Sequence, residues 1–304
     1  MKVAVVANPT SGRGRGATLI PQVEALLRSL GVEHSTHVSQ SAADPERLAW
    51  TAAADGADVV AALGGDGHVG ACVNGVMNAG AVAALAVIPA GTGNDFARLI
   101  GMNPKEPLGA VRVLREPTVK RIDVVRLKLP QGERYYVNVG SAGFDSEANA
   151  YANRMRWFRG KTKYVIATFM LLPRFRAARF EITVDGEHRE VPGMLIAVGN
   201  GRSYGGGMHV CPDAEVDDGV LDVTVVGEVS KPDFIKTFPK VFTGRHVRHP
   251  KVKQFRGGEV LITAERTLQV FADGEHAGTL PATFRVVPSA LGVVVPADER
   301  KDMT

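Results

Sequence analysis

The sequence has 304 residues, of which 45% are hydrophobic and 22% are charged, and its formal net charge is +4. This composition is typical of a folded globular protein and excludes a disordered chain, and no run of about 18 apolar residues predicts a transmembrane helix. The two cysteines, Cys72 and Cys211, show no metal-binding spacing, which indicates reduced thiols in a cytoplasmic protein rather than a disulfide framework.

Strand and helix signals alternate along the first part of the chain. The predicted strands are Lys2–Ala7, Val32–Val38, Asp58–Leu63 and Val82–Pro89. The predicted helices are Ala17–Leu30, Asp44–Ala54, Val69–Asn78 and one that begins at Asn94. Such alternation is typical of a mostly parallel sheet covered by helices. We therefore predict an α/β domain over residues 1–124, with 288–304 as a candidate segment to complete it.

After Asp123 the pattern changes to short strands bounded by turns. The predicted strands are Val124–Leu129, Arg134–Val139, Arg179–Val184, Gly193–Val198, Leu221–Val226, Val260–Thr263, Thr267–Phe271 and Thr283–Val287. Helical segments are predicted near Arg154–Leu172 and Pro232–Thr243. This pattern predicts an antiparallel β-sandwich domain over residues 125–287.

Three glycine-rich turns follow predicted strands of the first domain. They are Asn8–Gly12, Gly64–Gly67 and Pro89–Asp95. Turns at the carboxyl ends of parallel strands bind ligands, and glycines allow backbone N–H groups to approach a phosphate. Neither a P-loop nor a dinucleotide fingerprint is present. Each turn alone fits an ordinary connection, but three in succession favour phosphate binding.

Acidic residues accompany these turns and recur near the C-terminus. Asp66 and Asp95 provide carboxylate oxygens, which Mg²⁺ prefers. The acidic loop Asp213–Asp222 fits either an ion site or a polar turn. Asp185-Gly186-Glu187 and Asp273-Gly274-Glu275 both fit hairpin turns, and spacing identifies neither as catalytic.

In order and spacing, these motifs resemble the diacylglycerol kinase catalytic-domain family, specifically its bacterial soluble lipid kinases. The matching segments are Asn8–Gly12, Gly64–Gly67 with Val73–Gly75, Gly91–Arg98, Pro212–Leu221 and Asp273–Glu275. The resemblance spans nearly the whole chain. It implies a first domain similar to those of NAD kinase and phosphofructokinase, whose families share the Gly-Gly-Asp-Gly turn.

The resemblance implies ATP and Mg²⁺ as cofactors and assigns a role to each motif. The ATP-binding residues would be Asn8, Pro9, Thr10, Ser11, Gly12, Ser39, Thr92 and the segment from Gly65 to Ala71, which includes Asp66, Gly67 and His68. Asp66 and Asp95 would surround the catalytic Mg²⁺. Asp218, with the carbonyl groups of Glu215 and Val220, would hold a structural Mg²⁺. Glu275 would be the general base that removes the proton from a lipid hydroxyl.

Two residues depart from the family pattern. His68 stands where threonine is usual after Gly-Gly-Asp-Gly, and Ala71 stands where glutamate is usual. The histidine could donate to a phosphate, although we expect a solvated turn residue.

Two basic stretches favour a lipid partner. Arg154–Arg179 combines eight cations with aromatic residues and contains no acid, and Lys231–Arg256 contains one acid, Asp233. Cations interleaved with aromatic side chains suit an interfacial membrane contact, whereas a plain solvated face is the alternative. We therefore predict a cytoplasmic enzyme that associates peripherally with anionic membranes, without a nucleic-acid partner, and we leave a homodimer open.

The leading hypothesis is ATP-dependent phosphorylation of diacylglycerol to phosphatidic acid. A kinase for another lipid alcohol, such as a sphingoid base or a glycolipid precursor, fits the same motifs. An NAD kinase is disfavoured by Pro212–Leu221 and Asp273–Glu275. A nucleotide- or lipid-binding sensor without catalysis is the remaining alternative, supported by His68 and Ala71.

Overall fold

The computed structural model describes residues 1–144, 151, 170 and 177–297, which form two compact units. Unit 1 contains Met1–Ile122 and the C-terminal segment that begins at Ser289, and unit 2 contains Asp123–Pro288. Most of the basic stretch Arg154–Arg179, including the helix predicted near Arg154–Leu172, lies outside the described residues.

Unit 1 is an α/β domain with a parallel sheet. Its strands are β1 (Lys2–Ala7), β2 (Glu33–Val38), β3 (Val59–Gly64), β4 (Ala84–Pro89) and the end of β15 (Ala282–Val295). Its helices are α1 (Ser11–Ser29), α2 (Asp44–Ala54), α3 (Asp66–Asn78), α4 (Asp95–Leu99) and α5 (Pro107–Val113). The strand order is β2-β1-β3-β4, and Val293 of β15 pairs in parallel with Leu85 of β4.

The sequence of unit 1 explains this arrangement. The strand β3 is apolar throughout and buried at every position, as expected for a parallel strand covered on both faces. The polar strand β2 lies at the edge of the parallel sheet and is only partly buried. In α1, Leu19, Val23 and Leu27 are buried at a spacing of four residues, which forms one apolar helix face.

Unit 2 is an antiparallel β-sandwich. Its strands are β5 (Thr118–Leu129), which begins in unit 1, β6 (Gly132–Tyr136), β7 (Val139–Gly143), β8 (Ala178–Val184), β9 (Glu187–Gly199), β10 (Leu221–Gly227), β11 (Val252–Gly257), β12 (Glu259–Ala264), β13 (Gln269–Ala272), β14 (Glu275–Thr279) and the first part of β15. All strand pairs that are described within this unit are antiparallel. Buried and exposed residues alternate along β8, so one face of the strand packs on the core. The predicted fold class is confirmed for both units.

One helical segment of unit 2 lies on its surface. The helix α6 (Lys231–Thr237) continues into 3₁₀ turns at Phe238–Thr243 and Arg245–Arg248. None of the residues of α6 is fully buried. In the part of the chain that the structure describes, no helix combines the length and apolar character needed to span a bilayer.

Candidate active site

The three glycine-rich turns lie side by side in unit 1, because they follow β1, β3 and β4, which are neighbours in the parallel sheet. Asn8 donates its backbone N–H to the carbonyl oxygen of Leu63 at 2.9 Å. Ala90 donates its backbone N–H to the carbonyl oxygen of Gly64 at 2.8 Å. The sheet therefore extends into the turns and holds them in one row.

Several glycines of these turns are required by backbone packing. A Cβ atom at Gly91 would lie 2.5 Å from the Cα atom of Gly65, and one at Gly12 would lie 2.1 Å from the carbonyl oxygen of Ala90. Real Cβ atoms do not approach backbone atoms this closely, so neither position accepts a larger residue without a shift of the chain. The glycines thus bring the turns together, in addition to any contact with a phosphate.

The first turn has a distinctive backbone. The Asn8 side-chain oxygen Oδ1 accepts the backbone N–H of Thr10 at 3.0 Å and its hydroxyl at 2.8 Å. Gly12, Arg13 and Gly14 then adopt left-handed conformations before the helical part of α1 continues. For Arg13 this conformation costs roughly 1–2 kcal/mol, and strain of this kind is concentrated at functional sites.

Asp66 and Asp95 form a linked pair of acids at the ends of β3 and β4. Oδ1 of Asp66 accepts the backbone N–H of Asp95 at 2.7 Å. Burial raises the pKa of the Asp66 carboxyl, and the nearby charge of Asp95 raises it further. A Cβ atom at Gly93 would lie 2.4 Å from Oδ2 of Asp66, so the third turn closes directly over this carboxylate.

This pair fits a hard divalent cation. The unfavourable proximity of the two carboxylates would be relieved by positive charge, and carboxylate oxygens are the ligands that Mg²⁺ prefers. Arg98 already supplies some of this charge, since its Nη1 lies 3.1 Å from Oδ1 of Asp95.

Asn94 fixes the third turn from within. It adopts a left-handed conformation, and its side chain bonds both the N–H of Gly91 at 3.0 Å and the carbonyl oxygen of Gly91 at 2.8 Å. Thr92 lies on this fixed turn and is exposed, so its hydroxyl is accessible to a ligand.

Ser39 lies at the end of β2 and is buried. Its hydroxyl and its backbone N–H both donate to the carbonyl oxygen of Ala7, at 3.0 and 2.9 Å. The hydroxyl proton is therefore already hydrogen-bonded within the sheet. A contact between Ser39 and ATP stays a prediction, and in it the hydroxyl oxygen would act as an acceptor.

The expectation that His68 is a solvated turn residue is wrong. The side chain is 6% exposed, and its Nε2 lies 2.8 Å from the carbonyl oxygen of Val6. Burial lowers the pKa of His68, so the imidazole is neutral and donates from Nε2. A Cβ atom at Gly64 would lie 2.5 Å from this ring, which explains the glycine that precedes it on β3. The bond to Val6 occupies the only proton that the neutral ring can donate.

In unit 2, the structure distinguishes the two Asp-Gly-Glu turns. Asp273, at φ +50°, accepts the backbone N–H groups of Val137, Asn138 and Val139 at 3.0, 2.9 and 3.0 Å. This places Glu275 at the start of β14, where the surrounding protein raises the pKa of its carboxyl while the Arg134 guanidinium opposes the rise. A carboxyl with a raised pKa is better matched to proton transfer near neutral pH than an ordinary one.

The acids of the other turn make different contacts. Asp185 accepts the backbone N–H groups of Gly258 and Glu259, at 3.0 and 2.8 Å, which is a structural role. Glu187 is paired with Arg189 at 2.5 Å, and its side chain is 73% exposed. Glu275 is exposed as well, but its carboxyl faces Arg134 on another strand, and its role as the general base stays a prediction.

The predicted structural Mg²⁺ site has a different arrangement. The Asp218 carboxylate accepts the N–H of Val220 at 3.0 Å and pairs with the Arg256 guanidinium. Glu215 lies 3.8 Å from Arg202. Among the described residues, no group of three acidic, histidine or cysteine side chains is placed to hold a metal ion. The predicted ligand set of one carboxylate and two backbone carbonyl groups stays a prediction, and in this structure the cation that pairs with its carboxylate is Arg256.

Two buried acids lie at this loop: Asp222, which is the last residue of the predicted acidic loop, and Asp123, which was missed in the sequence analysis. Asp123 is 1% exposed, and its Oδ2 accepts the N–H of Gly219 at 2.7 Å, so it anchors the acidic loop to β5. Asp222 is buried beside Arg256, with 3.3 Å between its Oδ2 and Nε. An acid between apolar neighbours, as in Ile122-Asp123-Val124, was the signal that could have identified Asp123.

Comparison with known proteins agrees with this division of the chain. Residues 2–127 match the family model of the diacylglycerol kinase catalytic domain, and residues 138–295 match that of the YegS C-terminal NAD kinase beta sandwich-like domain. A diacylglycerol kinase of Mycobacterium tuberculosis (strain CDC 1551 / Oshkosh) is 37% identical over 97% of this chain and 95% of its own. A diacylglycerol kinase of Bacillus subtilis (strain 168) is 27% identical over 99% of both chains.

Solved structures confirm the fold. A crystal structure of a diacylglycerol kinase from Bacillus anthracis str. Sterne superposes with a TM-score of 0.75 at 22% identity and covers 97% of both chains. A second structure from that organism gives a TM-score of 0.80 at 24% identity. Together, the matched family models and the relative at 37% identity show that this chain belongs to the diacylglycerol kinase family of lipid kinases.

Proposed function

We propose that this protein transfers the γ-phosphoryl group of ATP to the free hydroxyl of diacylglycerol, which gives phosphatidic acid and ADP. The observation that carries the proposal is the linked pair Asp66 and Asp95, set in a row of three glycine-rich turns at the ends of parallel strands. Diacylglycerol is chosen as the acceptor because relatives that cover almost the whole chain bear that name.

The donor side of the reaction uses the turns of unit 1. The turns Asn8–Gly12 and Gly65–Ala71, together with Thr92, would bind the phosphates of ATP, in part through the backbone N–H groups at the N-terminus of α3. Asp66 and Asp95 are the residues that would hold Mg²⁺, whose charge, when it is bound, stabilises the phosphoryl oxygens. Arg98 would limit the repulsion between Asp95 and the phosphates.

The acceptor side uses Glu275. Its carboxylate would take the proton of the lipid hydroxyl while the hydroxyl oxygen forms a bond to the γ-phosphorus, and the bond from that phosphorus to the bridging oxygen of ADP breaks. The raised pKa of Glu275 favours this proton transfer, and a positioned base contributes about 10²–10⁴ in rate. Asp273 would keep Glu275 in place through its three backbone hydrogen bonds.

A transfer assay tests the proposal. Purified protein is incubated with γ-labelled ATP, Mg²⁺ and a panel of lipids in mixed micelles, which includes diacylglycerol, a sphingoid base and a glycolipid precursor. We expect label in phosphatidic acid, and we expect Glu275→Gln to lose about 10²–10⁴ in turnover with nearly unchanged ATP affinity. Glu187→Gln, the same change in the other Asp-Gly-Glu turn, is the matched control and should retain turnover.

Other outcomes would replace the proposal. Label in another lipid alcohol would assign a different acceptor to the same site. If ATP binds but no lipid is labelled, the protein is a sensor rather than a kinase. Wild-type turnover in Glu275→Gln would remove Glu275 from the mechanism.

A further inference from the structure

An apolar cavity lies within unit 2, under the surface helix α6. Its volume is about 80 Å³, several times the roughly 10–15 Å³ that one water molecule needs. It is lined mainly by apolar and aromatic side chains, which include Phe144, Met194, Met208, Phe234, Phe238 and Val241. Water gains few hydrogen bonds in such a space, so an apolar ligand is favoured there.

A ladder of aromatic rings connects this cavity with the surface. Phe144 and Phe234 line the cavity with ring centroids 5.4 Å apart, and Phe234 stacks on Phe238 at 5.6 Å. Phe238 then contacts Phe242 at 6.2 Å, and the Phe242 residue is 42% exposed. An apolar chain could therefore follow continuous apolar contacts from the surface into the cavity.

The surface at the outer end of this ladder suits an anionic bilayer. The segment Lys231–Arg248 carries five cations and a single acid, Asp233. Ile235 on α6 is 50% exposed, beside these cations. Exposed apolar side chains among cations are typical of an interfacial helix that inserts into the headgroup region. Such a surface brings the outer end of the ladder to the lipid.

We infer that this cavity binds the end of one acyl chain of the acceptor lipid, which enters from the bilayer along the phenylalanine ladder. The inference rests on the proposed function, because the acceptor lipid of that reaction carries acyl chains that need apolar surroundings. The buried wall is compatible with this ligand, since burial lowers the pKa of His246 and keeps its ring uncharged.

A binding experiment without ATP tests this inference. The probe is cis-parinaric acid, a long-chain fatty acid whose emission rises in apolar surroundings. Thr237 lines the cavity and is only partly buried, so Thr237→Trp should obstruct it without overpacking the core. Thr243 is exposed on the same segment and does not line the cavity, so Thr243→Trp is the matched control.

We expect the wild type and Thr243→Trp to bind the probe equally, and Thr237→Trp to bind it at least about tenfold more weakly, because burial of a few methylene groups is lost. Dioleoylglycerol in mixed micelles should displace the probe. If Thr237→Trp unfolds, Val241→Phe fills the cavity from its wall and should give the same loss.

The inference is overturned if the wild type does not bind the probe, or if a folded variant with an obstructed cavity (Thr237→Trp or Val241→Phe) binds it like the wild type. It is also overturned if oleate displaces the probe and dioleoylglycerol does not. Phosphorylation of dioctanoylglycerol is measured in parallel. Phosphorylation without probe binding removes the acyl site and leaves the proposed function intact. Displaceable binding without phosphorylation supports the site and contradicts the proposed function.

Discussion

Asp95 donates its backbone N–H to Oδ1 of Asp66 at 2.7 Å, so the backbone after β4 holds the side chain that follows β3. This bond favours the ionised form of Asp66, whereas burial and the charge of Asp95 oppose it and raise the pKa overall. The pair therefore carries a repulsion that a divalent cation can relieve.

Asp66→Asn should reduce lipid phosphorylation by about 10²–10³ or more, because one of the two proposed cation ligands is lost at the point where phosphoryl charge would develop. The measurement is turnover against Mg²⁺ concentration, and the variant should need more Mg²⁺. Asp55→Asn, the same change at an exposed acid of unit 1, is the control. Equal Mg²⁺ dependence in Asp66→Asn and the wild type would exclude Asp66 as a ligand.

Arg134→Met should move the acidic limb of the pH profile of kcat/KM to higher pH. The Arg134 guanidinium favours the charged form of Glu275, so its removal raises the pKa of Glu275 further. Since the proposed reaction needs the carboxylate, more alkaline solution is then required to ionise it. Arg126→Met, at an exposed position of β5, should leave the profile unchanged. A shift to lower pH, or none, would contradict the role of Glu275 as base.

The sequence was sufficient to predict the parallel sheet, because the buried strands β1, β3 and β4 are apolar and are punctuated by glycine. It was less informative for β14, since Glu275–Thr279 is short and polar and becomes a strand only by pairing with β13. Periodicity signals the burial of residues, but not which partner a polar residue finds after folding.

The same limit applies to the candidate site. His68 follows a glycine turn and therefore looked solvated, yet its ring reaches across to Val6, sixty-two residues earlier. The choice between Glu187 and Glu275 likewise depended on Arg134, which is far from Glu275 in the sequence and near it in the folded chain. Long-range contacts of this kind cannot be read from spacing.

Asp273→Asn should destabilise the protein by about 1–3 kcal/mol, because charged hydrogen bonds to three backbone N–H groups are weakened. Turnover per folded molecule should also fall, since Glu275 follows in the same turn. Asp185→Asn is the matched comparison: it lies in the same type of turn, has similar φ and accepts two backbone N–H groups. It should destabilise the protein without altering turnover. Calorimetry and assays of both variants provide the check, and equal effects on turnover would disconnect Asp273 from Glu275.

The free energy of unfolding should decrease as the pH falls below about 6.5, the ordinary pKa of histidine. His68 and His246 have lowered pKa values in the folded state, because burial disfavours their charged forms. Below the unfolded pKa, the unfolded chain therefore binds protons that the folded chain does not, and stability is lost until the folded pKa is reached. His68→Gln should reduce the pH dependence of the free energy of unfolding. Calorimetry between about pH 5 and 8, the range in which histidine titrates, measures it. The exposed-residue control Trp50→Gln should keep it.

Any stabilisation by Mg²⁺ without nucleotide should be lost in Asp66→Asn, because Arg256 already matches the charge of Asp218 and Asp222 in the acidic loop. Arg256→Met leaves the buried Asp222 without its ion-pair partner, and we expect the free energy of unfolding to fall by about 2 kcal/mol. This loss is smaller than for a fully buried pair, because Arg256 is half exposed. This variant should gain a stabilising response to millimolar Mg²⁺, since the released carboxylates can then attract a cation.

Arg285→Met is the control, because it breaks the exposed ion pair with Glu259. It should lower the free energy of unfolding by less than about 1 kcal/mol and gain no response to Mg²⁺. A different result would establish the acidic loop as a metal site. In that case Mg²⁺ would stabilise the wild type and Asp66→Asn equally, with saturation, and would not stabilise Asp218→Asn. Arg256 would then have a secondary role.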